Sequence, residues 1–223
     1  MQYELKKRRH FIAGSLLLGL SLGMSAQAAK PAGPLLVLGD SLSAEYGLAR
    51  GTGWVALLEQ RLAEQQRSLA VVNASVSGET TSGGLSRLPA LLAQHRPSVV
   101  ILELGGNDAL RGLPLQGPQG TQANLQAMVQ ASQKAGAKVL LVGMQVPPNY
   151  GNSYTNQFQQ LFPQIARQYK TGLVPFLLAG IGDTGAADTA QWFQADRIHP
   201  KANAQPHMLD NVWPELLKLL KQP

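Results

Sequence analysis

The sequence predicts an α/β protein, a three-layer α/β/α arrangement around a five-stranded parallel sheet. Two observations carry that prediction. Five short apolar runs are continuous rather than alternating, as in strands buried on both faces. Between them lie segments with apolar residues at helical spacing, and strands that alternate with helices build parallel sheets. A third observation bounds the domain count: no repeat, low-complexity linker or second unit interrupts the pattern.

The elements follow in order. Strands are read at 35–38, 69–72, 98–104, 137–143 and 172–178. The first helix rests on Trp54, Leu57, Leu58, Arg61 and Leu62, which fit a 3.6-residue period. The second rests on Leu85, Leu88, Leu91 and Leu92, and the third on Leu125, Met128, Val129 and Ser132. Phe158, Leu161, Phe162, Ile165 and Tyr169 give the fourth. The last starts near Asn203, an N-cap residue type, with Pro206 in its first turn. Pro214 falls later in the same pattern, where a kink or break is expected.

Residues 1–28 read as a secretory signal peptide. Lys6, Lys7, Arg8 and Arg9 form a positive head, Phe11 to Met24 an apolar run, and Ala26-Gln27-Ala28 an A-x-A site. The expected cleavage falls between Ala28 and Ala29, leaving a single domain over 29–223 that is periplasmic or secreted. RRHFI (8–12) partly matches a twin-arginine signal, a second export route. The run of 14 residues is short for a bilayer span, which argues against an anchor. With no cysteine in the chain, lipid attachment, thiol nucleophiles and thiolate metal sites are excluded together.

The leader holds four of the 19 Lys and Arg residues and one of the 13 Asp and Glu, so the net charge of the remainder falls from +6 to +3. No Lys/Arg cluster remains there, which argues against nucleic acid as a partner.

In open α/β sheets, sites form outside the carboxyl ends of the strands. After the first strand comes GDSLS (39–43), after the second NASVSGET (73–80), after the third GGND (105–108) and after the fourth QVPPNYGNSY (145–154). Past the fifth, an irregular stretch ends in ADRIHP (195–200). These are the parts of an acyl-transfer site. A serine hydroxyl needs a base to take its proton, and the base is most often His oriented by a carboxylate. Asp196 and His199, three apart in a turn-rich stretch, form such a pair, and Pro200 biases His199 out of helical geometry. An oxyanion needs preorganised donors. Gly78 lets a backbone N–H come close to a ligand, and Asn107 offers a side-chain amide after Gly105-Gly106.

GDSLS, the Gly of VSGET, GGND and DRIH match, in order, the four blocks of the SGNH (GDSL-type) hydrolases. The chain resembles this family from Leu35 to about Leu220, most closely its periplasmic thioesterase/arylesterase/lysophospholipase branch. The resemblance implies a flavodoxin-like sheet, Ser41 as nucleophile, His199 as base and Asp196 as orienting acid. It implies an oxyanion hole made by the Ser41 and Gly78 amides and the Asn107 side chain. Glu45 departs from the branch, where a small residue is usual.

Several other motifs are weighed. Ser43 is an alternative nucleophile but lies further past the strand end; Ser77 and Ser82 read as turn and cap residues. His95 follows a helical run, a helix-end cation. His207 with Asp210 reads as a solvated pair on the last helix. GTGWVA (51–56) begins too far past its strand for a dinucleotide fingerprint. GDTGAAD (182–188) lacks the oxygen ligands of a Ca²⁺ loop. Neither H-E-x-x-H, a P-loop nor the G-x-S-x-G elbow occurs. Asp40 is expected to hold the nucleophile's turn.

The function expected is hydrolysis of fatty-acyl esters and thioesters, including lysophospholipids, by a monomer with no metal or organic cofactor and no stable membrane anchor once the leader is removed. A carbohydrate O-acetyl esterase with the same triad is the alternative, and a non-catalytic binding protein is a third reading that the intact blocks disfavour. The loops 110–118 and 145–154 are expected to set the acyl preference, through Leu110, Leu113, Leu115, Val146, Pro147 and Tyr150.

Overall fold

The computed structural model describes residues 1, 33–67, 69–146, 150–183 and 190–221. Residues 32–223 form one compact unit. Apart from Met1, the expected leader lies outside the described residues.

Five strands form one sheet: β1 (Leu35–Gly39), β2 (Val71–Asn73), β3 (Val99–Glu103), β4 (Lys138–Val142) and β5 (Gly172–Val174). All pairings are parallel, in the order β2-β1-β3-β4-β5. The helices are α1 (Trp54–Glu64), α2 (Thr81–His95), α3 (Gly106–Leu110), α4 (Thr121–Lys134), α5 (Asn152–Tyr169) and α6 (Gln205–Lys221).

Period-two geometry in β1 builds the two cores. Leu35 and Val37 point to one face, packed with α1 and α6 side chains such as Trp54, Leu58, Met208 and Val212. Leu36 and Leu38 point to the other, with Leu88 of α2, Met128 of α4 and Phe158 and Phe162 of α5. The three-layer expectation holds for this reason. The central strands β1 and β3 are buried throughout, while β2 and β5 at the edges are shorter and half-exposed.

Three details differ from the sequence reading. The fifth strand stops at Val174 instead of running to 178. Beyond it the Gly143 carbonyl accepts from the Leu177 N–H at 3.0 Å where a continued ladder would use Phe176, so the regular pairing ends. The last helix is not broken at Pro214 but runs to Lys221, held by buried Val212, Leu216 and Leu219 on either side. A short 3₁₀ turn over Ala202–Ala204 precedes it, so Asn203 lies in that turn rather than at a cap, with its Nδ2 on the Gln191 carbonyl at 3.2 Å. Finally, GGND opens α3, a short helix with no counterpart among the expected helices.

With this strand order the chain runs from β1 to β2 on one side and then crosses back past β1 to β3 on the other. The crevice at that switch lies at the carboxyl end of β1, where GDSLS emerges.

Candidate active site

The turn after β1 is shaped by what lies beneath it. Gly39 is required there, because a Cβ would sit 2.7 Å from both Glu103 Oε2 and Ser43 Oγ. Ser43 is buried and its hydroxyl donates to Glu103 Oε2 at 2.7 Å, so it points into the protein and cannot meet substrate. Asp40 is buried as well. Its Oδ1 accepts the Leu42 N–H at 3.0 Å, closing the turn as expected, and its Oδ2 accepts from Asn107 Nδ2 at 2.9 Å. Its own N–H donates to Glu103 Oε2 at 3.3 Å. Ser41 is the residue of this turn left facing outward.

The loop carrying the acid and imidazole is pinned in turn. Phe193 and Pro200 form an antiparallel bridge, and the Gln194 N–H donates to the His199 carbonyl at 2.8 Å. Gln194 Nε2 ties this loop to the first one through the Tyr46 carbonyl at 2.9 Å. His199 Nε2 then lies 2.9 Å from Ser41 Oγ, and its Nδ1 lies 2.7 Å from Asp196 Oδ2. The second Asp196 oxygen accepts the N–H groups of Ile198 and His199 at 2.9 and 3.0 Å. Those bonds, the His199 amide first, hold the Asp196 carboxyl down at about 2, so it stays ionised opposite the imidazole. The Tyr46 ring backs His199, with centroids 4.2 Å apart.

Gly78 adopts φ +80°, a left-handed conformation that suits glycine. Its carbonyl accepts from Arg111 Nη2 at 2.9 Å. Among the described residues the Ser41 and Gly78 amides make no hydrogen bond, as a pair of oxyanion donors requires. Asp108 links the two sides of this corner. It is buried and accepts from the Thr81 amide at 2.9 Å, from the Thr81 hydroxyl and from the Thr121 hydroxyl at 3.3 Å. The starts of α2 and α4 are thereby fixed to the turn that presents Asn107.

Two carboxyls at the turn that carries Ser41 are electrostatically unusual. Burial pushes Asp40 up to about 6, against the opposing pull of the Leu42 amide, His199 and Asn107. Glu103 is fully buried, and burial together with the neighbouring Asp40 charge holds it well above the usual carboxylate range. Its Oε1 has no hydrogen-bond partner among the described residues. Residue types and spacing alone did not single out Glu103, Asp108 or Arg111. The one available signal for Glu103 was an acid ending an otherwise apolar strand.

A cavity of about 480 Å³ is lined by chain neighbours of Asn107 and His199, though not by Ser41 or His199 themselves. Gly106 and Leu110 line it next to Asn107, and Arg197 and Ile198 next to His199; Met144, Gln145, Val146, Phe176, Leu178, Gly182, Asp183 and Phe193 complete the wall. Of the expected specificity residues, Leu110 and Val146 line this cavity, whereas Leu113 and Tyr150 stand exposed on the rim outside it. Leu115 is buried in the core, and Pro147 lies outside the described residues. The sequence reading missed Phe176, Leu178 and Phe193. They reach the wall because the chain leaves the sheet after Val174.

The other motifs have ordinary roles. Thr80, not Ser82, caps α2, accepting the Gly83 N–H at 3.2 Å. His207 and Asp210 do not pair as a solvated couple: Asp210 binds Arg61 at 2.7 Å, and His207 packs edge-on against Trp192. Glu45 accepts the Gly51 and Gly53 amides at 3.0 and 2.8 Å, holding the turn ahead of α1, whose first N–H, that of Trp54, donates to Gln205 Oε1 at 2.9 Å. Residues 184–188 of GDTGAAD lie outside the described residues, and Asp183 accepts the Gly180 N–H at 2.7 Å.

Residues 37–205 match the model of the GDSL-like lipase/acylhydrolase family. The chain belongs to that family. Its acylhydrolase relatives cover it almost end to end. It is 50% identical over 213 residues to esterase TesA of Pseudomonas aeruginosa, spanning 96% of this chain and 100% of the relative. Thioesterase 1/protease 1/lysophospholipase L1 of Escherichia coli K12 is 41% identical over 192 residues, 86% of this chain and 87% of its own. The crystal structure of esterase EstA from Pseudoalteromonas sp., inhibited by monoethylphosphonate, superposes with a TM-score of 0.77 at 39% identity, covering 85% of this chain and 100% of that one. This GDSL-like acylhydrolase is an ester hydrolase with the α/β fold of its relatives.

Proposed function

We propose that this acylhydrolase cleaves esters and thioesters of fatty acids, lysophospholipids included, through a Ser41–His199–Asp196 triad and an acyl-enzyme. The observation that carries the reading is the unbroken chain Ser41 Oγ, His199, Asp196 at 2.9 and 2.7 Å, with a largely apolar cavity of about 480 Å³ lined by the residues that adjoin Asn107 and His199 in the chain. His199 Nε2 takes the hydroxyl proton as Ser41 Oγ attacks the acyl carbonyl. The negative charge that develops on the carbonyl oxygen is met by the Ser41 and Gly78 amides and by the Asn107 amide hydrogen not engaged by Asp40. His199 then delivers the proton to the leaving alcohol or thiol, and water reverses the sequence to free the acid. Asp196, ionised throughout, holds the imidazole tautomer and stabilises its charged form.

The cavity wall favours a long acyl chain over an acetyl group. Each methylene buried against Val146, Phe176, Leu178 and Phe193 is worth about 0.8 kcal/mol. The names of the Escherichia coli relative, thioesterase and lysophospholipase, support the same substrate class. The positive head, apolar run and A-x-A site support export with cleavage after Ala28, giving a periplasmic or secreted monomer without an anchor. A chain-length series of aryl esters from acetate to palmitate tests the reading: kcat/KM is expected to rise with length before it levels. A maximum at acetate would instead favour the carbohydrate O-acetyl esterase.

A further inference from the structure

Besides Met1, five large apolar side chains stand exposed among the described residues: Tyr46 (49%), Val76 (45%), Leu113 (37%), Tyr150 (36%) and Ile198 (47%). Single exposed apolar residues scattered over a surface are ordinary. These five are not scattered, for each follows the carboxyl end of a different strand, β1 to β5 in turn. They surround the site. Tyr46 stacks on His199, and Ile198 adjoins His199 and lines the cavity mouth. The Val76 amide donates to the Gly39 carbonyl beside the nucleophile's turn. The Tyr150 hydroxyl donates to the Leu110 carbonyl, and the Tyr154 hydroxyl to the Leu113 carbonyl.

The same loops carry exposed Arg50, Arg111 and Arg197. Lys201 of the last of these loops is exposed as well, while Glu45 and Glu79 are half-buried and Glu79 pairs with Arg87. Asp183 and Asp196 are the rim's exposed acids among the described residues, against four exposed cations. A ring of apolar tips set among cations is complementary to an anionic lipid surface, where the tips enter the acyl boundary and the arginines meet head-group phosphates.

We propose that this rim docks the enzyme onto anionic lipid surfaces, so that an acyl ester passes from the lipid face into the cavity without its chain crossing water. The docking rests on the fatty-acyl reading for its purpose, and it explains why apolar residues are left exposed at the site and not elsewhere. Charge alone does not choose this face. Arg96, Lys134 and Lys170 stand exposed at the opposite end of the sheet, where no large apolar side chain is exposed among the described residues.

The test is flotation with vesicles of phosphatidylcholine and phosphatidylglycerol, using the chain from Ala29 so that the apolar leader is absent. That form contains the whole compact unit. A Ser41→Ala background lets binding be read without turnover, so a failure of docking and a failure of the hydrolytic reading are distinguishable. The protein is expected to float with these vesicles and at least about tenfold less with phosphatidylcholine alone. Val76→Ser, Leu113→Ser and Ile198→Ser together are expected to lower partitioning by at least roughly tenfold, with an unchanged near-ultraviolet circular dichroism spectrum. Arg96→Glu with Lys170→Glu is expected to change it less than about twofold. Absence of vesicle binding would overturn the proposal and leave the rim to a soluble protein partner. Binding that survives the apolar triple change, or that is lost in the opposite-end variant, would also overturn it.

Discussion

Asn107→Ala is expected to separate transition-state stabilisation from substrate binding and to expose what lies beneath the oxyanion hole. In the structure Asn107 Nδ2 is held 2.9 Å from Asp40 Oδ2, so its amide is aimed before substrate arrives. A donor of this kind meets charge that exists only in the transition state. Removing one costs about 10²–10³ in kcat, or roughly 2.7–4 kcal/mol, with little change in KM. A second effect follows from burial. Asp40 is 3% exposed, and truncation leaves its Oδ2 without that partner. An unsatisfied buried acceptor costs about 1–3 kcal/mol, which for a domain of this size lowers Tm by about 2–4 °C per kcal/mol. Steady-state kinetics on a soluble aryl ester and a thermal melt of the same preparation read both effects. A rise in KM with kcat intact would refute the reasoning, since Asn107 would then hold the ground-state ester.

The architecture was legible because both faces of the sheet are buried, so strands read as continuous apolar runs and helices as 3.6-period stripes. The proposed triad and oxyanion set were legible as motifs, since Ser41, Gly78, Asp196 and His199 sit at turns and Asn107 at the start of α3, each marked by a neighbouring glycine, proline or acid. What did not read out was everything set by tertiary contact. Glu103 is a strand-end acid until the fold places it under Ser43 and Asp40. Phe176 and Leu178 look like strand residues because their run is continuous with β5, and only the tertiary structure, where Leu177 takes the Gly143 carbonyl, shows the pairing ending before them. Leu115 and Val146 have similar apolar character in their loops and both join the core, yet only Val146 also lines the cavity. Linear sequence has no term that separates them.

Further outcomes follow. Val146→Asp is expected to lower kcat/KM on decanoyl or longer esters by at least roughly tenfold, about 1.4 kcal/mol, with acetyl turnover nearly preserved; equal loss on both would mean that the loop supports the fold or the triad. Asp40 carries its proton up to about pH 6 when folded and to about 3.8 when unfolded. Its contribution therefore favours the folded state below pH 4 and is lost as pH rises toward 6. The Tm of Asp40→Asn minus that of the unmutated protein should accordingly increase between pH 4 and 6 and flatten above about 7; a flat difference throughout would mean that Asp40 titrates normally. Dialysis against EDTA is expected to leave activity unchanged, and loss restored by one divalent ion would show a metal requirement.

The central claim is that Ser41, activated by His199, is the nucleophile. An organophosphonate carrying an aryl leaving group tests it most directly, with the adduct located by peptide mass spectrometry. The account predicts a single adduct on Ser41, with loss of hydrolysis in proportion to labelling, and no labelling at the site in His199→Ala on the same timescale. An adduct on Ser43, or full hydrolysis by Ser41→Ala, would contradict it.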